Sequence, residues 1–356
     1  MRVNLDSVSV SPVTSIREVM EGLNQSQKGL ALVLSEDSRL LGTVTDGDIR
    51  RALLAGLDLD SPVQDSMQTE PTVAPDGLDE AALLNLMRAN GVRHLPIVNG
   101  AGRVVALQYL DLTESSPGTV SAVVMAGGEG LRLRPLTEDV PKPMLPVGDR
   151  PILQILIDCL KLAGVTRVFL SVGYLKEQIQ EYFGDGEALG LDVHYLVESK
   201  PCGTAGALSL IPKELRPESP FLVINGDLIT RLNFGAFRDF HIAAGYDFTL
   251  CCRPYEVKIP FGYPVIDEDR VVEFKEKPTF HYLVNSGIYC LSESLFDMLP
   301  ARATYNMTDL IQEACSGDRR VGVFPLREPF HEIGREESYR DAEAFFAQHF
   351  VDDSTD

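Results

Sequence analysis

Val120-Ser-Ala-Val-Val-Met-Ala-Gly-Gly-Glu-Gly-Leu-Arg132 starts as an apolar run and breaks into glycines at 127, 128 and 130. Residues 120–125 have the length and β-branched content of a buried strand. The glycines carry no Cβ and admit positive φ, so backbone N–H groups of Ala126, Gly127, Gly128 and Gly130 can converge on phosphate oxygens. Arg132 adds a forked cation. Lys142, in Pro141-Lys-Pro-Met-Leu-Pro146, adds a second on a backbone its prolines restrict. No Gly-Lys-Ser/Thr follows, which excludes a P-loop, and Pro135 interrupts the helix a dinucleotide fingerprint needs. The stretch reads as a strand ending in a phosphate-binding loop.

Strands and helices alternate on its C-terminal side. Residues 151–163 and 175–183 read as helices, the first with a proline at its start. Residues 166–172, 193–197 and 221–224 read as strands, and 338–350 as a closing helix. This pattern predicts an α/β domain over 120–356: a Rossmann-like, mostly parallel sheet with helices on both faces. Ligands of such sheets bind beyond the carboxyl ends of the strands, so the loops after Met125 and Ile224 should carry the chemistry. No room is expected after the closing helix for an appended acyltransferase domain.

Bulk composition narrows the partners. The 356 residues are 44% hydrophobic and 24% charged, enough for a buried core in each of two or three domains. A net charge of −20 argues against nucleic acid as partner, but a nucleotide needs only a few local cations and amides. The start of the chain lacks the apolar stretch of a signal peptide, and no run has the length of a membrane span. The six cysteines form no Cys-x-x-Cys pair and read as reduced thiols in a cytoplasmic protein with no membrane contact.

A polar stretch, Thr113-Glu-Ser-Ser-Pro-Gly-Thr119, reads as a linker. Residues 1–112 before it contain an internal repeat of helix, strand, turn, strand, helix. Leu40-Leu-Gly-Thr-Val-Thr45 with Asp46-Gly-Asp48 in the first copy answers to 104–107 with Tyr109-Leu-Asp111 in the second. Aligning Asp48 with Asp111 sets Gln108 opposite Thr45. The unit resembles a tandem pair of CBS motifs (an α+β module). That resemblance implies an adenine nucleotide, with its phosphate on Thr45 and its ribose on Asp48. The plainer reading makes Asp48 part of a helix cap. CBS modules often pair through their helices, so a homo-oligomer is expected, as is regulation of the domain that follows.

Four further constellations follow the phosphate loop: Glu198-Ser-Lys-Pro-Cys-Gly-Thr-Ala-Gly206; Val223-Ile-Asn-Gly-Asp227 at a strand end; Phe261-Gly262 with Glu276-Lys-Pro278 and Val284-Asn-Ser-Gly-Ile288; and Phe330-His-Glu-Ile-Gly-Arg335. Asp227 at a strand end beside phosphate loops suits Mg²⁺, which prefers carboxylates together with phosphates. In their order and spacing these segments resemble the sugar-phosphate nucleotidyltransferases, whose signature runs Gly-Gly-x-Gly-Thr-Arg-Leu-x-Pro-Leu-Thr…Pro-Lys-Pro-x-Leu-Pro. The resemblance implies catalytic Arg132 and Lys142, a base pocket lined by Glu198 and Gly203, and Mg²⁺ on Asp227 and Glu332. It also implies Glu276, Asn285 and Gly262 on the sugar and Lys277 on its phosphate. Two positions depart from the pattern: Leu131 replaces a Thr, and Glu332 replaces an Asp. His331 lies inside the last motif, where packing explains it better than catalysis.

The reaction so implied joins a nucleoside triphosphate and a sugar 1-phosphate, releasing pyrophosphate. A carboxylate offers only acceptors, which suits the N–H groups of guanine and tilts Glu198 toward GTP. The order of CBS pair and transferase domain is similar to the CBS-containing guanylyltransferases that act on glucosamine 1-phosphate in legionaminic acid pathways. Mannose- or heptose-1-phosphate enzymes, CTP- or UTP-using homologues, and a nucleotide sensor with weakened catalysis stay open as alternatives.

Overall fold

The computed structural model describes residues 5–26, 29–90, 92, 94–109, 119–217, 220–300 and 304–351. The chain divides into two compact units, Met1–Gly118 and Thr119–Asp356. Apart from Thr119, the expected linker lies outside the described residues, as does Asp111.

The first unit is built twice over. Ser9–Val10 pairs parallel to Leu30–Leu34, which forms an antiparallel hairpin with Leu40–Thr45. Ala74–Pro75 pairs parallel to His94–Val98, which forms a hairpin with Val104–Tyr109. Helices Ile16–Ser26 and Asp46–Leu54 cover the first sheet through Ile16, Val19, Leu23, Ile49 and Leu53. Helix Glu80–Asn90 covers the second through Leu83 and Met87. Leu30 and Leu32 of one copy share a core with Val104 and Leu107 of the other, so the repeats pack as one body.

The hairpin registers correct the repeat alignment. Leu30 faces Thr45 and His94 faces Tyr109, while Ala31 faces Val44 and Leu95 faces Gln108. Tyr109 is therefore the counterpart of Thr45, and Gln108 that of Val44. Both copies also shift register after the matching residues Val33 and Ile97. Counting between two aspartates missed this by one residue.

The second unit holds a seven-stranded sheet in the order Asp192–Val197, Arg167–Val172, Ser121–Met125, Phe221–Asn225, Thr279–Leu291, Phe248–Lys258, Val321–Pro325. Thr279–Leu291 runs antiparallel to both its neighbours; the other four pairings are parallel. Helices Ile152–Leu162, Lys176–Phe183 and Phe234–Ala244 bury Leu156, Ile179 and Phe237 on one face. Helix Met307–Ser316 buries Met307 and Leu310 with Phe169 and Val223 on the other. Burial on both faces is why the inner strands read as unbroken apolar runs.

Ser121–Met125 and Phe221–Asn225 lie side by side, with Asn225 paired to Met125. Their carboxyl ends thus open at one place. Beyond the sheet, Phe248–Lys258 and Thr279–Leu291 continue as a two-stranded arm, joined by a hairpin of Tyr263–Asp267 and Arg270–Lys275. No helix among the described residues is long and apolar enough to cross a membrane.

Candidate active site

The glycine loop is anchored at both ends. Ala126 N donates to Ser171 O at 2.8 Å, which fixes the exit from the strand. Gly130 has φ +63°, and a Cβ there would lie 3.0 Å from Thr137 Cγ2 and 3.1 Å from Lys142 Cβ. The buried Thr137 hydroxyl donates to Gly130 O at 2.9 Å. Glycine is favoured here by its dihedral, and a Cβ would also crowd Thr137 and Lys142. A short 3₁₀ turn, Leu131–Leu133, follows; Leu133 is buried, Arg132 is exposed and Leu131 is 59% exposed.

Lys142 begins the 3₁₀ turn Lys142–Met144, and its ammonium is ion-paired with Asp227. The two side chains are only 12% and 23% exposed, so solvent screens them little. Asp227 stands in the turn between Phe221–Asn225 and Leu228–Thr230. Its Oδ2 faces Lys142, while its Oδ1 is buried without a hydrogen-bond partner. Leu228 is in register with Glu332 of the strand Phe330–Glu332, and Ile333 N donates to Asp227 O at 3.0 Å. Asp227 thus immediately precedes one of two paired strands, and Glu332 ends the other. A buried carboxylate oxygen lacking a donor suits a hard cation whose remaining ligands are phosphates and water.

Both oxygens of Glu198 accept from protein donors. Ser171 Oγ donates to its Oε1 at 2.6 Å and Cys202 N to its Oε2 at 2.9 Å. The carboxylate also lies against Gly127, where a Cβ would stand 2.7 Å from Oε1. It therefore ties the phosphate loop, the Arg167–Val172 strand and the loop after Val197 together. Protein donors take one acceptor site on each oxygen, which gives Glu198 a structural role, and one acceptor site on each oxygen is left over. Ser171, which sequence reading missed, gave no signal beyond being a polar residue in an apolar strand. Gly203, at φ +77°, has Tyr305 O where a Cβ would sit, at 2.6 Å. Its close neighbour is thus the Tyr305 turn, held also by Ala205 N and Gly206 N donating to Tyr305 O.

On the sugar side, a Cβ on Gly262 would collide with the Glu276 carboxylate and the Phe274 ring, so Gly262 and Glu276 adjoin. Lys277 is exposed and takes a left-handed φ of +45° at the turn into Thr279–Leu291. Asn285 opens a bulge opposite Cys251/Cys252. Its Nδ2 donates to Tyr289 Oη at 2.7 Å, and its Oδ1 accepts from Gly287 N at 3.0 Å. His331 is 2.5 Å from Ser338 O and stacks on Phe345, in keeping with a packing role. Burial pushes the Cys159 and Cys252 thiols up to about 11, so they stay protonated spectators.

In the first unit, Thr45 and Asp48 engage each other. Thr45 Oγ1 and Thr45 N both donate to Asp48 Oδ2, at 2.6 and 2.9 Å, and Asp48 N donates back to Thr45 Oγ1 at 3.2 Å. Arg51 takes Asp48 Oδ1 at 2.6 Å. This is a capping box with an (i, i+3) ion pair, the plainer of the two sequence readings.

Fold and site define a class: an α/β domain with a glycine phosphate loop and a cation-paired acid at adjacent strand ends. The chain belongs to the Nucleotidyl transferase family, whose model matches residues 121–349. The CBS domain model matches residues 3–55 and 63–107. Mannose-1-phosphate guanylyltransferase of Mycobacterium tuberculosis is 38% identical over 186 residues, covering 51% of this chain and 51% of that protein. D-glycero-alpha-D-manno-heptose 1-phosphate guanylyltransferase of Aneurinibacillus thermoaerophilus is 29% identical over 234 residues, covering 65% of this chain and 100% of that one. The match spans about half the length of the first of these relatives and all of the second. The crystal structure of HddC from Yersinia pseudotuberculosis aligns with a TM-score of 0.51 at 27% identity, covering 64% of this chain and 100% of that one.

Proposed function

We propose that the chain transfers a guanylyl group from GTP to a sugar 1-phosphate, releasing pyrophosphate. The observation that carries this reading is Asp227: paired to Lys142 on one oxygen, unpartnered on the other, beside the glycine loop and one residue before Leu228, the register partner of Glu332. An oxygen of the sugar phosphate attacks the α-phosphorus, and the bond from that phosphorus to the bridging oxygen of the leaving pyrophosphate breaks. No side-chain nucleophile is needed, so rate comes from positioning and charge neutralisation. Mg²⁺ held by Asp227 and Glu332 would supply neutralisation of the reacting phosphates. Arg132 and the loop amides receive the departing pyrophosphate. Lys142 pairs with Asp227 and orients it at the loop. Glu276, Asn285 and Gly262 bind the sugar, with Lys277 on its phosphate.

GTP is supported by the guanylyltransferase names of the mannose and heptose relatives rather than by Glu198. Glucosamine 1-phosphate is our first acceptor, on the shared order of CBS pair and transferase domain; mannose and heptose 1-phosphates come next. The CBS pair is proposed to regulate turnover or to mediate self-association. An adenine nucleotide held by Thr45 and Asp48 would exchange their mutual bonds for its own. The test is pyrophosphate release across the four triphosphates and the three sugar 1-phosphates, with and without Mg²⁺ and AMP. Release that needs both substrates and the metal supports the reading; silence across the whole matrix removes it.

A further inference from the structure

Arg253 follows the bulge at Cys251/Cys252 on the Phe248–Lys258 strand, and its register partner is Val284, the neighbour of Asn285. Its guanidinium carbon lies 5.8 Å from the ring centroid of Phe330 and 5.7 Å from that of Tyr255. Phe330 and Glu332 belong to one short strand, two residues apart, and so project from the same side of it. Arg253 thus stands between the sugar-side bulge and the strand that carries the second carboxylate.

Its Nε is buried, and no acceptor among the described residues reaches it. A permanently charged group with a desolvated, unpaired donor is costly unless a ligand supplies the acceptor. Arg216 and Arg238 also bury an unpaired Nε. Arg216 lies after the turn Lys213–Leu215 and Arg238 on the helix Phe234–Ala244, segments without a site residue. Of these three, Arg253 alone combines the missing acceptor with a position beside the site.

We propose that Arg253 binds the phosphoryl group of the sugar 1-phosphate, a role that rests on the transferase reading above. Lys277 supplies a point charge from the turn before Thr279–Leu291. Arg253 supplies a planar fork packed near two aromatic rings. A bidentate contact and a point contact together restrain rotation of the phosphate, which favours an in-line approach to the α-phosphorus.

The test uses the full chain. Arg253→Met keeps an apolar stem against Phe330 and Tyr255 and removes the charge; Arg253→Lys keeps the charge without the fork. With pyrophosphate release as the readout, Arg253→Met should raise KM for the sugar 1-phosphate about 10- to 100-fold, with KM for the triphosphate changed less than about twofold. Arg253→Lys should fall between Arg253→Met and wild type. An unchanged sugar-phosphate KM, or an equal rise in both constants, overturns the assignment. If the wild type turns over no substrate pair, the transferase reading itself fails. Calorimetric titration with inorganic phosphate then decides Arg253: weaker binding by Arg253→Met than by wild type supports it, and equal or absent binding in both overturns it.

Discussion

Glu198 shows how a side chain's partners change its meaning. Its type and place suggest a base-reading carboxylate, yet its oxygens serve Ser171 and Cys202. No sequence rule announces that a strand hydroxyl will take one oxygen and a loop amide the other. Glu198→Gln retains the size but can no longer accept from both donors through charged oxygens. We expect kcat/KM to fall about tenfold for every triphosphate, with the ranking of the four unchanged. A changed ranking would restore the base-reading role. His241 carries a second prediction at this scale. It is buried between Thr249 Oγ1, at 2.8 Å, and Ser292 Oγ, at 3.3 Å. Burial lowers its pKa from 6.5 to about 4, against the opposing pull of Asp247. Above pH 6.5 the ring is neutral folded or unfolded, and no penalty arises. As the pH falls from 6.5 toward 4, the unfolded chain takes up a proton that the folded chain refuses, and stability declines by up to about 3 kcal/mol. Urea midpoints at pH 7.5 and pH 5 should therefore differ more in wild type than in His241→Gln; equal differences would contradict this.

At the scale of elements, the parts with strong local signatures were legible in advance. The strand before the glycines, the Pro-Lys-Pro turn and the strand end at Asp227 stand where apolar runs and breakers predict them. Thr45 and Asp48 were legible as a cap because the capping box is a local pattern. The bond from Thr137 to Gly130 and the contact of Gly203 with the Tyr305 turn were not, because each depends on which segment folds back onto a loop. Gly203→Val puts a branched side chain at φ +77° against Tyr305 O. It should destabilise the domain by about 1–3 kcal/mol and raise KM for the triphosphate, read by thermal melting and kinetics together. An unshifted melting temperature would show that the Tyr305 turn yields without cost.

For the molecule as a whole, β/α alternation gave the transferase domain's sheet, but not the antiparallel Thr279–Leu291 strand or the arm it builds. That arm brings Asn285 and Arg253 together from strands whose pairing is long-range. The N-terminal repeat was visible as a repeat, while its alignment had to come from hairpin registers, since side chains there vary more than pairings do. If Asp48 works only as a cap, Asp48→Ala should cost about 0.5–2 kcal/mol of stability and leave transferase rates alone, with or without AMP. A loss of AMP response with unchanged stability would instead make Asp48 a ligand. If Asp227 is where two phosphate-bearing substrates meet, GDP-sugar formation in wild type and Asp227→Asn at saturating GTP, sugar 1-phosphate and Mg²⁺ must differ. We predict product from the wild type and a rate lower by at least about 100-fold in the variant, with the fold retained. Equal rates in the two proteins would contradict it.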